Sequence, residues 1–400
     1  MNSEFEKHTL SKLVHIDQKS LGKKTPEDFT FSYISLSDVS SGNISKTLEK
    51  HSFKSAPSRA RRVLQNGDII MATVRPNLQG FAKITEEFSH CVASTGFAVL
   101  SPKDNVSGEF IYQCLYSYQI TKQIESLVVG SNYPAINSSD VAGLHIYTPP
   151  YPEQKKIAKI LSTWDKAIAT TEKLIATSQQ QKKALMQQLL TGKKRLVNPE
   201  TGKAFEGEWE EVPLSNWLVE FKEKSSVQDQ HRVYTSSRSG LVPQDEYFGN
   251  SRISDRKNIG FHILPPGHMT YRSRSDDGYF TFNLFKGNEN GIISHYYPVF
   301  TSKGSNDFFI ALLEQYRNVF GKHSVGTSQK VLSFNALKAI RFFVPSTYEQ
   351  QKIASVLIAA DKEIELLQAK LAHLKDEKKA LMQQLLTGKR RVKVDENVAA

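Results

Sequence analysis

Cysteine is almost missing from this sequence: of 400 residues only Cys91 and Cys114 carry a thiol. Two thiols exclude a four-thiolate zinc site and argue against a disulfide framework, so both are read as buried, inert side chains. Long apolar runs are missing too. No stretch approaches the roughly 18 consecutive apolar residues of a membrane span. The opening MNSEFEKHTL mixes charges where a secretory signal needs an apolar run, and a cytoplasmic protein is the expectation. The sequence has no GxxxxGKS/T phosphate loop and no glycine-rich methyl-donor loop between strand and helix. His262 and His268 stand singly among aromatic and proline residues, without the paired spacing zinc requires, and are read as structural or surface groups. A metal-dependent nuclease centre needs clustered carboxylates, and Glu153-Gln154-Lys155 has no paired acid at a fitting position. ATP, methyl-donor and metal sites are therefore not expected in this chain.

What the sequence does hold is positive charge and enough apolar material to fold. With 39% hydrophobic residues, bulk disorder is excluded. The length exceeds the roughly 250 to 300 residues at which single cores stop growing, so two or three domains are expected. Lysine plus arginine exceeds aspartate plus glutamate by 52 to 41, a net charge of +11 that invites a polyanionic partner. The excess is uneven. Residues 149–203 carry 11 basic against 4 acidic groups and 346–400 carry 10 against 8, whereas 1–148 and 204–345 are each within one charge of neutral. A solvated face or an acidic protein partner would also suit such segments; phosphate contact is the sharper reading.

Comparing the sequence with itself at a displacement of 196 residues exposes a duplication. Glu153-Gln154 and Lys156-Ile157-Ala158 recur as Glu349-Gln350 and Lys352-Ile353-Ala354, and Asp165-Lys166 recurs as Asp361-Lys362. KKALMQQLLTGK, Lys182 to Lys193, recurs unchanged as Lys378 to Lys389. Each copy reads as a helix because its apolar positions advance in steps of four and three: Ile157, Leu161, Trp164, Ile168 in the first, Ile353, Leu357, Ile364, Leu367, Leu371 in the second. Proline-marked entrances precede both, and Gly192 and Gly388 follow the last apolar positions. About 38 residues at 1.5 Å each give a rod of roughly 57 Å. Thr171, Ser178, Lys182 and Lys378 interrupt the seams and are read as register-setting polar residues.

The regions between, about 13–148 and 212–345, read as mixed α and β: runs such as DIIMATV and GIISHYYPVF are broken by glycine-rich turns, with a helix near 109–128 and its counterpart near 306–320. Outside their ends the two regions show little mutual likeness, which suits recognition of two different things. Thr148-Pro149-Pro150-Tyr151 resembles the Pro-Pro-Tyr loop of amino-methylating DNA methyltransferases, but its aligned counterpart, Val344-Pro345-Ser346-Thr347, makes the shared feature a helix entrance. Basic and amide clusters remain: Arg59, Arg61, Arg62, Arg75, Asn77 and Gln79 in the first region, and Arg252, Arg256, Lys257, Arg272 and Arg274 in the second. Arginine suits guanine, asparagine and glutamine suit adenine, and lysine suits phosphate. Gly67, Pro76, Gly267 and Gly278 give these clusters a loop-like setting.

Two unlike domains, each followed by a repeated helix introduced by Pro-x-x-x-Glu-Gln-x-Lys-Ile-Ala (Pro149 to Ala158, Pro345 to Ala354) and ending in Leu-Leu-Thr-Gly-Lys, resemble the specificity subunits of type I restriction-modification systems. The resemblance covers nearly the whole chain. It implies an α+β fold: a target-recognition domain over 1–148, a spacer helix region over 149–203, a second recognition domain over 204–345 and a second helix region over 346–400. The helices would pair antiparallel and the halves would be pseudo-two-fold symmetric. It implies a non-catalytic subunit that reads one half of an asymmetric bipartite double-stranded DNA site with each domain, the helices setting the spacer. It also implies two methyltransferase subunits as partners, and motor-nuclease subunits reached through them. S-adenosylmethionine, ATP and magnesium would belong to those partners, with no cofactor in this chain. The repeated segment is the candidate docking surface, through Leu185, Met186, Leu189, Leu190 and their counterparts Leu381, Met382, Leu385, Leu386. A coiled-coil scaffold whose globular domains bind proteins explains the repeat equally well.

Overall fold

The computed structural model describes residues 5–40, 42–128, 134–237, 240–248 and 257–394. They form two compact units, Met1–Glu172 with Lys370–Ala400, and Lys173–Ala369. The four segments of the sequence reading are divisions along the chain; the compact units cut across them, because both unit boundaries fall inside long helices.

Unit 1 contains eight principal strands: β1 (Val14–Ile16), β2 (Thr30–Ile34), β3 (Glu49–Ser52), β4 (Ala60–Val63), β5 (Ile69–Ala72), β6 (Phe81–Lys83), β7 (Val92–Ser94) and β8 (Phe97–Pro102). One sheet has the order β1-β8-β5-β6, antiparallel throughout. The other has the order β3-β2-β7-β4, with β2 and β7 parallel. Central β5 is buried at every position, as its unbroken apolar run IIMA demands of a strand covered on both faces. A ribbon of Glu6–Thr9 with His145–Thr148 lies outside both sheets.

Unit 2 repeats this plan strand for strand. Its strands are β9 (Leu218–Phe221), β10 (Arg232–Ser237), β11 (Gly240–Pro243), β12 (His262–Leu264), β13 (Met269–Tyr271), β14 (Phe282–Leu284), β15 (Gly291–Ile293) and β16 (Val299–Ser302). The sheets run β9-β16-β13-β14 and β11-β10-β15-β12, with β10 and β15 parallel and all other neighbours antiparallel. The ribbon recurs as Glu210–Pro213 with Arg341–Val344. The regions that looked unlike in sequence thus share one fold. Strand pairing is carried by backbone hydrogen bonds, so side chains can diverge while topology persists. Leu10-Ser11 and Leu214-Ser215 are equivalent as well: Leu10 and Leu214 are fully buried, and their N–H groups donate to the carbonyls of Leu144 and Ile340 at 2.8 and 2.9 Å.

Five helices matter for the site: α1 (Gly108–Leu115), α2 (Tyr118–Leu127), α3 (Tyr151–Leu189), α4 (Asn306–Gln315) and α5 (Thr347–Leu385). The helix expected near 109–128 is two helices, because Ser117 restarts the chain as an N-cap, its hydroxyl accepting from Ile120 N–H. Ser107 and Ser305 cap α1 and α4 in the same way. In each unit one end of α3 and the opposite end of α5 run antiparallel. Ile157, Ala158 and Leu161 join Met382, Leu385 and Leu386 in the core of unit 1; Leu189 and Leu190 join Ile353, Ala354 and Leu357 in that of unit 2. Each such leucine contributes about 1.5–3 kcal/mol by burial. Cys91 and Cys114 are buried and unpaired, and burial pushes both thiols up. Among the described residues no helix is long and apolar enough to cross a membrane.

Candidate nucleic-acid interface

The residues that made the repeat visible hold each recognition fold against its helices. In unit 1 the buried Glu153 carboxylate accepts from Arg391 Nε at 3.0 Å, from a second guanidinium nitrogen at 2.7 Å and from Val392 N–H at 3.0 Å. Burial alone would push this carboxyl up; the bonds from Arg391 and Val392 and the guanidinium charge outweigh it and hold it below the ordinary carboxylate range. In unit 2 Glu349 accepts from Arg195 at 2.6 and 2.7 Å and from Trp209 Nε1 at 3.2 Å. Asp165 pairs with Lys378 at 2.6 Å, and Asp361 pairs with Lys182. The four ion pairs map onto one another under the 196-residue displacement, with the two copies exchanging donor and acceptor roles, whereas the Val392 and Trp209 bonds have no counterpart among the described residues. Lys182 and Lys378, read as seam interruptions, are therefore the cross-helix partners of the repeated aspartates.

The neighbouring glutamine ties helix to domain. Gln154 accepts from Ser107 N–H at 3.0 Å and donates to the Pro149 carbonyl at 2.9 Å. Gln350 does the same with Ser305 at 3.1 Å and Pro345 at 2.9 Å. Ser107 and Ser305 are the N-caps of α1 and α4, so each amide joins the entrance of a long helix to the first helix of its recognition fold. The Glu-Gln pair that the sequence reading tested as a nuclease fragment is structural. Sequence spacing gave no sign of this, since Glu153 and Arg391 are 238 residues apart.

The candidate DNA-contacting residues gather on equivalent elements. Arg75, Asn77 and Gln79 occupy the turn from β5 to β6; Arg272 and Arg274 lie in its topological counterpart, the connection from β13 to β14, where Arg274 stands on a two-residue strand paired antiparallel with Lys330–Val331. Arg75 and Gln79 bracket a 3-10 turn and both adopt left-handed backbone, at φ of 49° and 51°. Non-glycine residues pay about 1–3 kcal/mol each for such conformations, which persist where surrounding structure imposes them and cluster at functional sites. Here the imposing bonds are Arg75 N–H to Pro134 O at 2.7 Å and Phe81 N–H to Gln79 O at 2.7 Å. In unit 2 the Arg274 guanidinium lies 4.8 Å over the Tyr296 ring, while the Ser273 hydroxyl donates to the Tyr296 carbonyl at 2.6 Å. Arg272 lines a groove of about 660 Å³ with Tyr247, Phe248 and Tyr297. Arginine beside exposed tyrosine combines hydrogen-bonding and stacking chemistry suited to nucleic acid.

The remaining candidates are placed differently. Arg59 is exposed ahead of β4, but Arg61 and Arg62 stand on β4 itself, not in a loop. Arg61 stacks on Phe53 at 4.7 Å, and Arg62 is mostly buried in an ion pair with Asp17 at 2.7 Å. Lys257 is exposed before β12; Arg252 and Arg256 lie outside the described residues. The proposed docking leucines also need correction. Leu189, Leu190, Leu385 and Leu386 are 0–3% exposed, Met382 is buried, and Leu185, Met186 and Leu381 pack against the same cores. An α-helix offers one stripe to its core, and here the apolar stripe is spent within the chain. The exposed face of the same segments carries lysine and glutamine.

The family model described as type I restriction modification DNA specificity domain matches residues 2–178 and 221–376. The chain is 26% identical over 310 residues to the type I restriction enzyme MjaVIII specificity subunit of Methanocaldococcus jannaschii, covering 70% of each. It is 28% identical over 281 residues to a putative type I restriction enzyme MjaX specificity subunit of the same organism, covering 66% of this chain and 63% of that one. In fold it resembles the HsdS subunit from Thermoanaerobacter tengcongensis with a TM-score of 0.53, at 20% identity and 98% coverage of both chains.

Proposed function

The chain belongs to the type I restriction-modification DNA specificity family, and from that premise we propose that it is the non-catalytic reader of an asymmetric, bipartite double-stranded DNA site. Each unit reads one half-site, principally through the turn from β5 to β6 in unit 1 and from β13 to β14 in unit 2. One observation carries this reading: the same eight-strand plan, present in both units, presents unlike arginine-bearing connections at the same topological position. A duplicated frame with divergent turns is what two different half-sites require, since rigid scaffolds commonly display recognition residues on loops. Methyltransferase subunits, one for each recognition fold, seat on the polar faces of α3 and α5, and motor-nuclease subunits join through them. S-adenosylmethionine, ATP and magnesium belong to those partners. The paired helices set the spacer.

The test is methylome sequencing of cells carrying this chain with its partner subunits. A split motif is expected, and replacing Arg75 to Gln79 by the turn of a relative should alter one half of it only. Both halves changing together would refute the division of labour. Neither half changing, in a chain that still assembles, would favour protein binding by the globular domains.

A further inference from the structure

Leu78 stands 66% exposed at the tip of the unit 1 turn, between Arg75, Asn77 and Gln79. Lone surface leucines are ordinary, but this one is held out by a turn whose backbone is forced at both ends. Pro76 is buried at the start of the turn, and Leu78 N–H and Gln79 N–H close the turn onto Arg75 and Pro76 carbonyls at 3.0 Å each. Asn77 and Gln79 line a hollow of about 220 Å³ against α2 with Thr121 and Ile124. The turn is thus a rigid mount that keeps an apolar side chain in water among hydrogen-bonding neighbours. A strained mount that exposes apolar surface opposes stability and calls for an external partner.

We propose that Leu78 is a specificity-determining residue of unit 1 that packs on the 5-methyl group of a thymine in its half-site. This rests on the DNA-reading function proposed above. In the major groove each base pair offers hydrogen-bonding edges that arginine, asparagine and glutamine satisfy, and thymine alone adds an apolar group. A leucine can neither donate nor accept, so within a reading turn its discriminating contact is that methyl. The corresponding connection in unit 2 exposes Asp276, Asp277 and Tyr279, keeps Phe280 buried, and presents no exposed aliphatic side chain.

The experiment uses the full-length chain assembled with its methyltransferase subunits and duplexes carrying the mapped site. Each thymine of the unit 1 half-site, as assigned by the turn exchange, is replaced in turn by deoxyuridine, which lacks only the methyl. One replacement should weaken binding about fourfold, the factor for losing one buried methyl. Leu78→Ala should weaken binding to the thymine duplex by at least that factor and respond no further to deoxyuridine there; Leu78→Met should keep the discrimination. The inference is overturned if no position responds in the unaltered chain, if the half-site holds no thymine, or if Leu78→Ala still discriminates thymine from deoxyuridine. Sequence-specific binding that ignores deoxyuridine removes only the role of Leu78. Binding without sequence preference removes the reader function itself.

Discussion

Replacing Arg391 by alanine isolates what one lock contributes. The substitution removes the guanidinium's charge-assisted bonds, among them those at 2.7, 3.0 and 3.2 Å, from a Glu153 side chain that is only 4% exposed, leaving the Val392 N–H bond. Breaking a buried pair from one side costs about 3–5 kcal/mol. Arg391 is itself 47% exposed, so returning water screens part of the loss and about 2–3 kcal/mol is expected. Arg195→Ala in unit 2 should cost more, about 3–5 kcal/mol, because Arg195 is 22% exposed and Glu349 2%. Urea denaturation measures each loss, and hydrogen exchange assigns it: amides of α1 should open first in Arg391→Ala and those of α4 in Arg195→Ala. The folded Glu153 carboxyl lies below its ordinary value near 4.5, so its contribution is complete above that value and disappears as pH falls through the folded one. Glu153→Gln should therefore lower stability at neutral pH and flatten the acid limb of unit 1. A loss under about 1 kcal/mol for Arg391→Ala, or faster exchange in α4 instead of α1, would refute the reasoning.

Three further outcomes follow from the same contacts. Gln350→Ala orphans the Ser305 N–H and Pro345 carbonyl, and should cost about 1–3 kcal/mol in denaturant titrations, with Gln154→Ala matching it in unit 1. Arg274→Ala should relax one base position of the unit 2 half-site at about 1–3 kcal/mol while leaving the unit 1 half-site intact in methylome data; Tyr296→Phe, which keeps the ring, should preserve it. Matched four-residue insertions after Glu172 and Ala369, outside both sets of locks, add about 6 Å and about 40° beyond a full turn to each helix. The methylated motif should then gain about two base pairs of spacer at about 3.4 Å each, with half-sites unchanged.

The helices were legible in sequence because their signal is local and doubled: apolar spacing sets the stripe, and KKALMQQLLTGK appears twice. What the stripe faces was not legible. Leu185 to Leu190 looked available to a partner because nothing in a helical period distinguishes the core of the same chain from another protein's surface. The matching strand plans were hidden for a related reason: β5 and β13 share burial, not residues, and burial accepts many apolar combinations. Arg62 was grouped with Arg59 by proximity in sequence, while its ion pair with Asp17 is made by folding. The turn bearing Arg75 to Gln79 was readable as a turn from Pro76, but left-handed backbone at arginine and glutamine has no sequence signature.

Unit 2 is one continuous stretch of chain, whereas unit 1 needs Lys370 onward to complete it. On the ribosome this ordering has a cost. Residues 5 to 172 emerge first, yet Ile157 and Leu161 must wait for Leu385 and Leu386, which at about 5–20 residues per second takes roughly 10–45 seconds. During that interval the next segment to appear, Lys182 to Lys193, carries the same twelve residues as the missing Lys378 to Lys389, and Arg195 follows it as Arg391 follows the later copy. A neighbouring nascent chain on the same messenger presents that substitute as well. Interchangeable locks therefore set exchanged pairing between unfinished chains in competition with the native pairing, which becomes available once Lys378 to Lys389 emerge.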